Sequence, residues 1–154
     1  MLNIGDKAPA FSAPNADMSV IDSEHYFGHK KIVLFFYPKD NTPGCIMEAV
    51  GFTDNARDFE EQDVIIIGVS MDDCESHGTF RDKHGLEVIL LADTSGEICR
   101  AYDVLKTVEM KGQTVNKIQR TTYIIDKEAI IKHVLTEVKP KGHAEEVLAL
   151  VNAL

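Results

Sequence analysis

The chain has 154 residues, 25 of them acidic and 16 basic, for a formal net charge of −9. That length suits a single domain spanning residues 1–154, and the acidic balance disfavours nucleic acid and anionic membrane surfaces as partners. No apolar run approaches the ~20 residues of a membrane span. The opening Met1-Leu2-Asn3-Ile4-Gly5-Asp6 lacks a basic segment followed by an apolar one, so it does not read as a secretory signal, and the cytoplasm is the expected location.

In chain order, Ile32 to Tyr37 is a continuous apolar run, the pattern of a strand buried on both faces. Ile46, Ala49, Phe52, Ala56 and Phe59 then recur at spacings of three and four, which predicts one amphipathic helix over 43–60. Val64 to Val69 is a second buried strand. Asp72-Asp73 caps a following helix that ends at Gly85. Val88 to Leu91 is a third strand, and Asp93-Thr94-Ser95 caps a short helix running to Tyr102. Residues 106–119 are polar and irregular and are expected to form a loop. Thr121 to Ile125 and Ala129 to Leu135 read as a hairpin around Asp126-Lys127. After Pro140 and Gly142, the positions Ala144, Val147, Leu148, Val151 and Leu154 mark a terminal amphipathic helix. Strand–helix units followed by a hairpin and a helix predict an α/β fold with a mixed central sheet flanked by helices.

Three cysteines, Cys45, Cys74 and Cys99, are too few and too scattered for a disulfide scaffold, and no C-x-x-C is present. Cys45 has the most informative surroundings. The strand ending Phe35-Phe36-Tyr37 runs into Pro38-Lys39-Asp40-Asn41-Thr42-Pro43-Gly44 and delivers the cysteine to a helix start. Thr42 suits the N-cap and Pro43 the first helical turn. Unpaired N–H groups and the helix dipole there favour a thiolate over a thiol. Cys99 sits in an amphipathic stretch and reads as a core residue. The six histidines show no metal-ligand spacing, and no metal site or cofactor is expected.

The pattern Pro38-x3-Thr42-x2-Cys45 resembles the active-site loop of the peroxiredoxins, and FYPKDNTPGC is similar to the bacterioferritin-comigratory (PrxQ) subfamily. GDKAPAF, GVSMDDCESH, RTTYIID and VKPKGHAEEVL extend the resemblance, in order, over essentially the whole chain. The resemblance implies a thioredoxin-like fold and a thiol-dependent peroxidase acting on hydrogen peroxide and organic hydroperoxides. By similarity, Cys45 attacks the O–O bond and becomes a sulfenic acid. Thr42 hydrogen-bonds the sulfur and the peroxide, Pro38 shields the sulfur, and the N–H groups of Gly44 and Cys45 hold the peroxide oxygens. Arg120, at the R-[ST]-T position of the family, stabilises thiolate and leaving oxygen. Glu48, one turn after Cys45, either orients that arginine or is a solvated helix residue.

The resemblance breaks at the second cysteine. Members of the subfamily place a resolving cysteine five residues after the first, where this chain has Val50, or in the next helix, near Arg81. Cys74, about two turns before Arg81, is a candidate resolving residue and equally a half-buried helix residue beside an acidic cap. The expected reductant is therefore an external thiol, whether thioredoxin, glutaredoxin or glutathione, and the expected assembly is a monomer or weak homodimer. Two other readings remain open on sequence. A thiol–disulfide oxidoreductase is opposed by the missing C-x-x-C and by the stretch Gln119-Arg120-Thr121, which has no proline where such proteins carry one before the corresponding strand. The other is a non-catalytic redox sensor.

Overall fold

The computed structural model describes residues 1–154, and its organising element is the apolar run after Lys30. Two short strands, β1 (Ser12–Pro14) and β2 (Val20–Asp22), form an N-terminal hairpin. There follow β3 (Lys31–Phe36), α1 (Pro43–Asp54), α2 (Ala56–Glu61), β4 (Val64–Ser70), α3 (Cys74–His84), β5 (Ile89–Ala92) and α4 (Glu97–Ala101). The chain closes with β6 (Leu105–Met110), β7 (Gln113–Ile118), β8 (Thr121–Ile125), β9 (Ile131–Leu135) and α5 (His143–Asn152).

The main sheet has the order β5-β4-β3-β8-β9, with β3, β4 and β5 parallel and β8 and β9 antiparallel to their neighbours. Period-two alternation explains why β3 is apolar throughout. Ile32, Leu34 and Phe36 enter one core with Val69, Leu91, Tyr102 and Tyr123. Val33, Phe35 and Tyr37 enter the other with Cys45, Phe52, Phe80 and Val147. The cysteine of the sequence motif, Cys45, is thus wedged into the second core, beneath the helices. This is the expected mixed sheet flanked by helices. No helix is long and apolar enough to cross a membrane.

Two expectations need correction. The predicted helix over 43–60 is broken into α1 and α2 at Asn55, whose side-chain amide donates to the Gly51 carbonyl at 2.8 Å, as asparagines that compete with the helical backbone do. The expected loop at 106–119 is mostly a second hairpin, β6 pairing antiparallel with β7. Its two-residue turn, Lys111-Gly112, has φ of 52° and 77°, the left-handed geometry that lets two twisted strands reverse tightly. Both strands are largely exposed, so no alternation of apolar and polar residues betrays them.

The acidic caps act as expected. Asp73 accepts from Ser76 N–H at 2.8 Å at the start of α3. Asp93 reaches further, accepting from the N–H groups of Ile98 at 3.1 Å and Cys99 at 2.8 Å. The site lies where β3 ends. Phe36 pairs with Thr121, so the loop after β3 and the residues before β8 emerge side by side. That pairing brings Arg120 to Cys45, 75 positions earlier in the sequence.

Candidate active site

The loop after β3 is held by buried polar groups rather than by apolar packing. The Asp40 carboxylate, 5% exposed, accepts from the Tyr37 hydroxyl at 2.7 Å and the Ser76 hydroxyl at 2.8 Å and lies 2.7 Å from His77 Nδ1. The Asp40 N–H donates to Asp72 at 2.9 Å, and Ser70 donates to the same carboxylate oxygen at 2.7 Å. His77 Nε2 lies 2.9 Å from the Leu91 carbonyl. Both ring nitrogens therefore face acceptors, an arrangement fully satisfied by the imidazolium. Burial pushes His77 down, but Asp40, the Leu91 carbonyl and Asp72 outweigh it, and its pKa is raised. Asp40, Asp72 and His77 bring three ligand-type atoms within 4.8 Å, yet each is already engaged within the cluster. The arrangement is a latch between the cysteine loop and α3.

Beyond the latch, Thr42 occupies the N-cap of α1 with extended geometry, but its side chain caps nothing. Its hydroxyl donates to the Lys39 carbonyl at 2.8 Å, so the oxygen's remaining capacity is as an acceptor. Within α1 the first helical bond is Ile46 N–H to the Thr42 carbonyl at 2.8 Å, which leaves the Gly44 and Cys45 N–H groups in the unpaired first turn. Cys45 is 1% exposed.

Arg120 closes the arrangement. One terminal nitrogen donates to Cys45 Sγ at 3.3 Å and the other to Glu48 Oε1 at 2.7 Å. A Cβ at Gly44 would stand 3.1 Å from that first nitrogen, so glycine lets the guanidinium lie across the helix start. Pro38 and Arg120 also line a cleft of about 320 Å³ whose outer wall is the β6–β7 hairpin.

Arg120 thus lies against Cys45, Gly44 and the Pro38 side of the cleft, and Thr42 stands at the N-cap of the same helix. Cys74 opens α3, half-buried and free, outside this group. Val50 is half-buried in α1, and Arg81 pairs with Asp17 at 2.8 Å and Asp82 at 3.0 Å. Cys99 is fully buried, and burial, with Asp93 beside it, pushes its thiol far up, which makes it an inert core residue.

Glu48 matters more than its sequence position suggested. It is 1% exposed, and burial, opposed by Arg120, pushes its carboxyl up to about 7. Its second oxygen has no donor and lies 3.9 Å from His143 Nε2, a ring nitrogen 2.8 Å from the Thr122 hydroxyl. The signal was present: Cys45, Glu48, Ala49 and Phe52 share the buried face of α1, so the acid interrupts an apolar stripe. The role of His77 had no comparable mark, because its partner Asp40 is 37 residues away.

Known proteins are similar to this chain over nearly its whole length. The AhpC/TSA family matches residues 4–134. Peroxiredoxin Bcp of Bacillus subtilis is 42% identical over 147 residues, covering 96% of this chain and 93% of its own. Peroxiredoxin Bcp of Escherichia coli is 33% identical over the same length, covering 96% and 94%. Among solved structures, a PrxQ mutant of Xylella fastidiosa superposes with a TM-score of 0.93 at 34% identity, over 99% of this chain and 97% of that one. The bacterioferritin comigratory protein of Xanthomonas campestris, solved as trapped intermediate and ligand complexes bearing on alkyl peroxide reduction, has a TM-score of 0.88 at 33% identity, over 93% and 90%. The chain belongs to the AhpC/TSA family and, within it, to the Bcp/PrxQ peroxiredoxins, thiol-dependent peroxidases of thioredoxin-like fold.

Proposed function

We propose that Cys45 is the attacking sulfur of this thiol-dependent peroxidase, with hydrogen peroxide and organic hydroperoxides as substrates. The observation that carries the assignment is the Arg120 guanidinium 3.3 Å from a nearly inaccessible Cys45 Sγ in the first turn of a helix. A fixed cation and an unpaired N–H turn both stabilise negative charge on that sulfur. The thiolate attacks one peroxide oxygen in line. The S–O bond forms as the O–O bond breaks, sulfur is oxidised by two electrons, and the departing oxygen takes a proton to leave as water or an alcohol.

Thr42 has committed its own proton to Lys39, so its oxygen accepts the O–H of the incoming peroxide and orients it. Charge building on the leaving oxygen meets Arg120 and the N–H groups of Gly44 and Cys45, held in place before the reaction begins. Pro38 walls off water, and Glu48 aims the guanidinium.

An external thiol then condenses with the sulfenic acid, releasing water and leaving a mixed disulfide. A second thiol frees Cys45. Thioredoxin, glutaredoxin and glutathione all supply that chemistry. With Val50 and Arg81 at the two subfamily positions for a resolving cysteine, recycling from outside is favoured over a Cys45–Cys74 disulfide. The test is Cys45→Ser, for which we expect complete loss of peroxide consumption while Cys99→Ser retains it. Continued turnover by Cys45→Ser would sink the assignment.

A further inference from the structure

The cleft beside Arg120 has a composition at odds with the rest of the chain. Its lining includes Lys106, Lys117 and Arg120 among Pro38, Val108 and Ile118, and it holds no acidic side chain. The chain as a whole carries 25 acidic residues against 16 basic ones.

The hairpin register sharpens this. Lys106 stands directly opposite Lys117, and Val108 opposite Val115. With a period of two, these four residues share one face of the hairpin, and Lys106, Val108 and Lys117 among them line the cleft, whereas Glu109 falls on the other face. Like charges directly opposed across two strands destabilise a hairpin. A pair of lysines, apolar residues beside it and a guanidinium form a wall that is cationic at the exposed lysines and ends at Arg120, which itself donates to Cys45 Sγ at 3.3 Å. The volume of about 320 Å³ lies at the low end for small-molecule pockets, which suits a compact ligand and not a protein segment.

We propose that Lys106 and Lys117 form a carboxylate-binding subsite in the cleft beside Arg120, the residue that contacts Cys45. It favours, among the small molecules that react at Cys45, those with a carboxylate joined to a short apolar chain. The inference rests on Cys45 being the reacting sulfur. Two molecules of the cycle could carry that carboxylate, the hydroperoxide and the reducing thiol. Each reacts in its own half of the cycle, so the two are measured apart.

In the first arm, reduced protein is mixed with the hydroperoxide of an aliphatic acid or with that of its methyl ester. In the second, protein already oxidised to the sulfenic acid is mixed with 3-mercaptopropionate or with 2-mercaptoethanol. Rates are compared between the wild type and Lys106→Gln/Lys117→Gln.

The expected result, in at least one arm, is that the double variant slows the carboxylate-bearing reagent by about three- to tenfold, the range for two exposed charge pairs. The neutral reagent should react unchanged, and the effect should shrink in high salt. The arm that responds identifies the ligand. The melting temperature of the double variant should hold or rise as the repulsion is relieved, so a slower rate cannot be ascribed to unfolding. Equal effects on charged and neutral reagents in both arms, or none, overturn the subsite. If the wild type fails to react with either hydroperoxide, the failure lies with Cys45 and not with the lysines.

Discussion

Two buried carboxylates flank Cys45, each beside a buried histidine, and they are satisfied very differently. Asp40 has both oxygens engaged, by Tyr37 on one and by Ser76 and His77 on the other. Glu48 has one oxygen on Arg120 and the other without a donor, 3.9 Å from His143. The histidines follow their partners. His77 is raised because Asp40 and its neighbours overcome burial, and His143 is lowered because burial, with Arg120 adding to it, outweighs Glu146. A saturated cluster fixes a loop, and an undersaturated one leaves a charge poised to titrate. The first kind belongs under the cysteine loop, where geometry must hold. The second lies beside Arg120, the proposed partner of the reacting sulfur.

The largest test of this contrast is Asp40→Ala. It strands a buried imidazolium together with the Tyr37 and Ser76 hydroxyls, and should cost about 3–5 kcal/mol in urea unfolding. A loss below about 1 kcal/mol would mean that the latch does not hold the loop.

Glu48 supplies the next test, through pH. Its folded pKa, up from 4.5 to about 7, lies above the unfolded value, so its contribution is complete below about pH 4.5 and declines as pH rises through about 7. Wild type should therefore lose on the order of 3 kcal/mol relative to Glu48→Gln across that window. A flat difference would show that Arg120 fully compensates the carboxylate.

The histidines give the smallest effect and the clearest sign. The raised pKa of His77 makes its contribution full below its ordinary value of 6.5 and lost as pH climbs through the folded value. For His143 the lowered value reverses this, because the unfolded ring takes up a proton that the buried ring refuses as pH falls through 6.5. His77→Gln should thus be more damaging at about pH 5.5 than at about pH 8.5, and His143→Gln the opposite, each by about 1 kcal/mol. Unfolding midpoints at the two pH values decide it, and matching trends would erase the distinction.

What could be read from sequence follows the same division between saturated and exposed parts. β3 and β4 were legible because both faces are buried, so the strand signal is a plain apolar run. The turn into Cys45 was legible because Pro38, Thr42, Pro43 and Gly44 each have a backbone reason to be there. The β6–β7 hairpin was not, because its side chains are mostly in water and its turn is Lys-Gly instead of Asn-Gly. Arg120 could be placed by its neighbours in sequence. The Asp40–His77 latch could not, since nothing local to His77 marks a partner in another segment. Glu48 was visible as a charge on an apolar stripe, and only the fold shows that the stripe is buried in the second core and that its acid pairs with Arg120.

The most direct measurement is the fate of each sulfur after one equivalent of peroxide, read by mass spectrometry without reduction. One added oxygen is expected on the peptide containing Cys45, with Cys74 and Cys99 both free thiols. Oxygen on Cys74 or Cys99 with Cys45 untouched would contradict it. A Cys45–Cys74 linked pair would keep the attacking sulfur but overturn recycling by an outside thiol.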